Sequence, residues 1–136
     1  MTNIQAYLTF NGNCREAMNF YKDCLGGELQ WQTVGDSPMS DKLPRKMKEC
    51  ILHSTLTKGD LVLIASDMVD EEGLLKGNAV SLMLNCNSED EIQQFYMRLS
   101  AGGKQTHPLE INFWGALFGN LTDKFGNRWL LHYQKE

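Results

Sequence analysis

Apolar positions along this chain switch between helical and strand spacing, and they do so twice in the same order. In the second half, Ile92, Phe95, Tyr96 and Leu99 fall at i, i+3, i+4 and i+7, one face of a helix. Ser88 stands where an N-cap belongs, and Glu91 completes a capping box with it. In the first half, Ala17, Met18, Tyr21, Cys24 and Leu25 form the matching stripe, with Asn11 or Asn13 as the expected cap. Both stripes are read as core.

A short apolar run precedes each helix, YLTF and LMLN, and a glycine pair follows each, Gly26-Gly27 and Gly102-Gly103. Phe20-Tyr21 is echoed by Phe95-Tyr96, 75 positions on, and the glycine pair is echoed 76 positions on. After each glycine pair the spacing changes to that of strands: residues 28–34, 50–57 and 61–66, then 104–107, 114–122 and 128–133. Each half therefore reads strand–helix–strand–strand–strand. One such unit is too small to bury its sheet face alone, and pairing two offers a way to cover it. The expected chain is α+β, one domain over residues 1–136. It is built from repeats at about 4–66 and 79–134, joined by a linker at 67–78 whose acids are expected to keep it solvated. Residues 35–48, GDSPMSDKLPRKMK, carry two prolines and the basic cluster Lys42, Arg45, Lys46 and Lys48. They read as a binding loop or as a plain solvated one.

Composition narrows the function classes. A length of 136 residues suffices for one domain with a real core. The net charge of −4 argues against a nucleic-acid binder, which normally presents a basic face. The N-terminal MTNIQAYLTF has no basic leader, and the longest aliphatic run, residues 61–65, is far short of the roughly 20 needed to span a bilayer. A cytoplasmic protein without a membrane partner is expected. Cysteines 14, 24, 50 and 86 show no CxxC spacing, so reduced buried thiols are expected. Cys50 and Cys86 are weak nucleophile candidates because no base is assigned to either.

The runs YLTFNG, AMNFYKDCLGGE, ECILHSTL, LVLIASD, VSLMLNCNSEDEI and FWGALFGNLTDKFGNRWLLHY together resemble the PhnB-like branch of the vicinal oxygen chelate superfamily, the glyoxalase/bleomycin resistance/dioxygenase fold. The resemblance covers nearly the whole chain. It implies two tandem βαβββ modules forming a curved mixed sheet around a cavity, and a homodimer. In metal-dependent members it also implies four His, Gln or Glu side chains, from the first and last strands of each module, around one divalent ion.

Carried over one at a time, those positions fall near Ala6 with Gln5 beside it, near Leu63 or Ile64, near Ser81, and at Leu130. Aliphatic side chains have no lone pair to offer, and metal sites need several convergent N, O or S donors. No metal and no cofactor are therefore expected. Some members carry a 3-demethylubiquinone methyltransferase label, but this chain has no Gly-rich nucleotide turn, P-loop or GxSxG element.

Polar chemistry remains at a few places. His53, inside the apolar run CILHSTL, is either a satisfied structural histidine or a pocket donor and base. His107 stands before Pro108 in an expected loop, and His132 lies in the last strand, facing solvent or the cavity. Asp123 is expected to brace a turn, and Glu110 and Asn112 are candidate polar pocket residues. Two functions follow. In the first, the inter-module cavity binds a small, partly apolar molecule through Tyr7, Phe10, His53, Phe113 and Trp114. In the second, the chain is an enzyme of lyase, isomerase or oxygenase type. It would use His53 as acid and base with Glu110, or a non-standard metal site.

Overall fold

The computed structural model describes residues 2–36, 48–70 and 72–135. The chain forms two units, Met1–Leu75 and Lys76–Glu136. The first unit contains β1 (Ala6–Thr9), α1 (Cys14–Leu25), β2 (Glu28–Thr33), β3 (Ile51–Lys58) and β4 (Leu61–Ser66). The second contains β5 (Leu82–Asn85), α2 (Glu89–Ser100), β6 (Lys104–Ile111), β7 (Leu117–Thr122) and β8 (Arg128–Tyr133). The repeat is thus a repeat of topology. The first sheet runs β1-β4-β3-β2 and the second β5-β8-β7-β6. In each, the first and last strands pair in parallel and the other neighbours are antiparallel.

Each helix covers one face of its own sheet. In unit 1, Met18, Tyr21 and Leu25 of α1 are buried, as are Phe10, Ile51, Leu56 and Leu63. In unit 2, Ile92 and Leu99 of α2 are buried, as are Leu121, Trp129 and Leu131. Burying one such aliphatic side chain stabilises by about 2 kcal/mol before the entropy of ordering it is counted. The Ser88 half of the α2 capping box forms, with Ser88 Oγ accepting the Glu91 N–H at 3.0 Å, while Glu91 Oε1 reaches one residue further back and accepts the Asn87 N–H at 3.0 Å.

Two expectations change. The first concerns the cap of α1. Asn13 occupies the N-cap position without a side-chain cap bond. Asp67 Oδ1 instead accepts the N–H groups of Gly12 and Cys14, both at 2.9 Å, and Oδ2 accepts the Ile51 N–H at 2.8 Å. Asp67 is therefore a buried tie between the β1–α1 turn and β3, not a solvating linker acid.

The second concerns the strand expected at 114–122, which begins only at Leu117, while β6 runs on to Ile111. Between them Asn112 builds a turn. Its Oδ1 accepts the N–H groups of Trp114 and Ala116, each at 3.0 Å, and its own N–H reaches Ala116 O at 2.7 Å. Gly115 takes the positive φ of 81° that this turn needs. Phe113 and Trp114 therefore sit at a hairpin tip and not in a strand.

The reading of the 35–48 loop is not among them. Its basic residues Lys42, Arg45 and Lys46 lie outside the described residues. Among the described residues no helix is long and apolar enough to cross a membrane.

Candidate functional site

In each unit the sheet face away from the helix follows from strand register. Residues directly opposite share a face, and neighbours along a strand alternate. In unit 1, Tyr7 pairs with Ile64, Ile64 with Thr55, and Thr55 with Gln30. In the next row Thr9 pairs with Ser66, and His53 with Gln32. This open face is mostly polar. Tyr7 Oη donates to Ser66 Oγ at 2.9 Å, and His53 Nε2 lies 3.1 Å from Thr55 Oγ1. His53 is exposed on this face rather than sunk in an apolar strand. Phe10 has the opposite parity and is 1% exposed, so it belongs to the unit 1 core and not to a ligand-lined wall.

Unit 2 carries the more unusual arrangement. β6 pairs Lys104 with Thr122, His107 with Asn120 and Glu110 with Phe118, with a register shift in each interval. A regular strand sends residues three apart to opposite faces. Each irregularity adds a residue to β6 and re-aims the next side chain. Lys104, His107 and Glu110 thus stand on one face. Pro108 fits because β6 is the edge strand, where a missing N–H is tolerated. The next strands add Leu130 opposite Asn120 and His132 opposite Phe118, and Asn85 lies beside His132.

This column borders a cleft of about 310 Å³ lined by His107, Pro108, Glu110, Ile111, Asn112, Phe118 and Asn120. Its polar pair is ordered from both sides. His107 Nδ1 lies 3.1 Å from Asn120 Oδ1. With the carboxamide oxygen facing it, Nδ1 donates, and a neutral ring keeps its lone pair at Nε2. From the helix side the buried Tyr96 hydroxyl donates to His107 O at 2.7 Å and lies 3.2 Å from Asn120 O. Burial raises the Tyr96 pKa, so it stays a donor at neutral pH. The helical stripe marked Tyr96 only as core. Its hydroxyl also fixes the two strands that present the cleft.

Of the residues expected to bind ligand or act in catalysis, Glu110 lines this cleft. Phe113 and Trp114 belong to the hairpin tip that closes β6 onto β7. They are 95% and 79% exposed and meet edge to face at 5.8 Å. Tyr7 and His53 belong to the open face of unit 1. Asp123 is a structural brace: Oδ1 accepts the Phe125 and Asn127 N–H groups at 2.9 and 3.0 Å, and Oδ2 accepts Trp129 Nε1–H at 2.8 Å.

The positions carried over from metal-dependent relatives do not fit a metal. Ala6 pairs with the buried Leu63. Ile64 and Leu130 reach the open faces but offer only hydrocarbon, and Ser81 adds one hydroxyl just ahead of β5. Among the described residues, no three His, Cys, Asp or Glu side chains are grouped so as to hold a metal ion. Cys14, Cys50 and Cys86 are poor nucleophiles. Burial pushes the Cys14 thiol up to about 11 and the Cys86 thiol up to about 12. Cys50 is also raised, by burial first and then by the charges of Asp67 and Glu49. A protonated thiol attacks slowly.

Comparison with known proteins agrees with this architecture. The model of the Glyoxalase/Bleomycin resistance protein/Dioxygenase superfamily matches residues 3–131. Protein YjdN of Escherichia coli (strain K12) is 27% identical over 143 residues, covering 98% of this chain and 96% of that protein. The crystal structure of protein PA1353 from Pseudomonas aeruginosa superposes with a TM-score of 0.86 at 37% identity over 100% of both chains. A PhnB protein from Bacillus cereus superposes with a TM-score of 0.73 at 25% identity, over 98% of this chain and 100% of that one.

Proposed function

The chain belongs to the Glyoxalase/Bleomycin resistance protein/Dioxygenase superfamily, and from that premise we propose that it binds a small, partly apolar molecule without the superfamily's metal tetrad. The observation that carries this reading is the unit 2 cleft. Pro108, Ile111 and Phe118 supply apolar wall, and His107, Glu110 and Asn120 supply polar groups on the same side. That mixture suits a small ligand, whose body is desolvated while a few polar contacts set its orientation. A homodimer in the cytoplasm is part of the proposal. The exposed Phe113 and Trp114 support the dimer, as tip residues of a kind enriched in interfaces. The four free cysteines support a reducing compartment.

One observation favours the second reading, an enzyme that moves a proton. The Asn120 contact orients His107 with a free Nε2 in the same cleft as Glu110. That reading moves the base from His53 to His107.

A fragment titration followed by amide NMR, with EDTA present throughout, tests the binding proposal. Small mixed aromatic and polar fragments are expected to shift resonances of β6 and β7, centred on His107, Glu110, Phe118 and Asn120. Shifts elsewhere only, or shifts that need an added divalent ion, would contradict it.

A further inference from the structure

We infer that the unit 2 cleft selects a positively charged nitrogen group carried on an aromatic body, an inference that rests on the cleft being the binding site. The donors and acceptors of the lining favour such a group. Glu110 contributes a carboxylate, which is acceptor-only when ionised. Among the described residues no lysine or arginine lines the cleft to neutralise it. His107 has its Nδ1–H directed at Asn120 Oδ1, so what the neutral ring offers a ligand is the Nε2 lone pair. Asn112 Oδ1 already serves Trp114 N–H and Ala116 N–H. Glu110 and a neutral His107 therefore offer acceptors, the Nδ2 groups of Asn112 and Asn120 offer only uncharged donors, and with His107 neutral the only formal charge that the described residues bring to the lining is negative. A ligand with several N–H donors and a positive charge satisfies both.

The apolar side of the lining sets the rest of the ligand. Phe118 pairs with Glu110 across β7 and β6, so the ring and the carboxylate are neighbours on one face. A planar cation placed against Glu110 reaches this ring, where its charge is also favoured by the π face. The chain's net charge of −4 biases encounter in the same direction. An anion of the same shape meets the carboxylate with no cation in the lining to offset it.

Three probes of nearly one shape separate these effects: benzamidine, benzamide and benzoate. Each is titrated into the full-length chain with EDTA present and followed by amide NMR, up to about 10 mM, the range of weak fragment binding. Benzamidine is expected to shift the His107, Glu110, Phe118 and Asn120 resonances and to bind about tenfold or more tightly than the other two. Glu110→Gln, a change on an exposed strand position, is expected to bring the benzamidine-to-benzamide ratio near one while the spectrum keeps its native dispersion. Equal binding of benzamide or benzoate at the cleft, or an undiminished ratio in Glu110→Gln, overturns the cation assignment and leaves the binding site standing. Silence of all three probes while other fragments shift the cleft overturns the assignment alone. Silence of the cleft to every fragment overturns the binding proposal with it.

Discussion

Gly103→Ala is expected to destabilise the second unit by about 3 kcal/mol or more, the range reached when a tightly packed position is forced apart. A Cβ built on Gly103 would lie 2.2 Å from Thr122 O and 2.7 Å from the carbonyl carbon of Asp123. Both are backbone atoms and neither can swing aside. The chain would have to lift β6 from the end of β7, where Lys104 meets Thr122. Gly115→Ala is the control. Its Cβ meets nothing within 4 Å, and only the positive φ of 81° opposes it, which costs about 1–2 kcal/mol. Urea unfolding of both variants separates lack of space from backbone strain. Equal midpoints for the two would show that the close approach is not rigid.

The same contact exists in the first unit. A Cβ on Gly27 would lie 2.4 Å from Thr57 O. The second glycine of each pair therefore has the same physical cause, while the first is held at positive φ, 83° at Gly26 and 77° at Gly102. After each helix the chain must pass against the carbonyl at the end of the neighbouring strand, and only a hydrogen fits there.

Asp67→Ala is expected to cost about 3–5 kcal/mol. It removes the acceptor of three backbone N–H groups at once, those of Gly12, Cys14 and Ile51. An unsatisfied buried donor costs about 1–3 kcal/mol. Cys14 and Ile51 are buried, whereas Gly12 is exposed and water can take over its bond. Asp67→Asn keeps one acceptor oxygen and loses the charge, so a smaller loss of about 1–3 kcal/mol is expected. Hydrogen exchange locates the effect: amides in the first turn of α1 and at the start of β3 should lose protection first. An alanine variant as stable as the parent would mean that the carboxylate is not the cap of α1.

How much of this was legible in the sequence depends on how local each cause is. The helical stripes, the Ser88 cap, the glycine pairs and the doubled module all arise from contacts within a few residues or from a repeated pattern. They read correctly. The site residues depend on pairing across the sheet. His107 and Glu110 are three apart, a spacing that a period-two strand cannot place on one face, and Pro108 between them reads as a break. Only pairing with Asn120 and Phe118 shows the irregularity that aligns them. Asp67 looked like one acid among several in a linker because its three donors lie 16 to 55 residues away in sequence. Trp114 looked like the start of a strand because the apolar run continues through it. Asn112, a residue suited to bonding the backbone two positions on, was the available sign of a turn. The aliphatic character of Ala6, Leu63, Ile64 and Leu130 at the carried-over metal positions was legible from residue type alone. Register adds that Leu130 stands on the open face of unit 2, beside Asn120 and in the row next to His132.

Native mass spectrometry of untagged protein purified without chelator tests most directly whether this chain works as a binding protein without the superfamily's metal. The predicted spectrum shows the chain, as a homodimer, with no stoichiometric divalent ion. A spectrum with one divalent ion per chain, retained through buffer exchange and removed by EDTA, would contradict the account and place metal chemistry first.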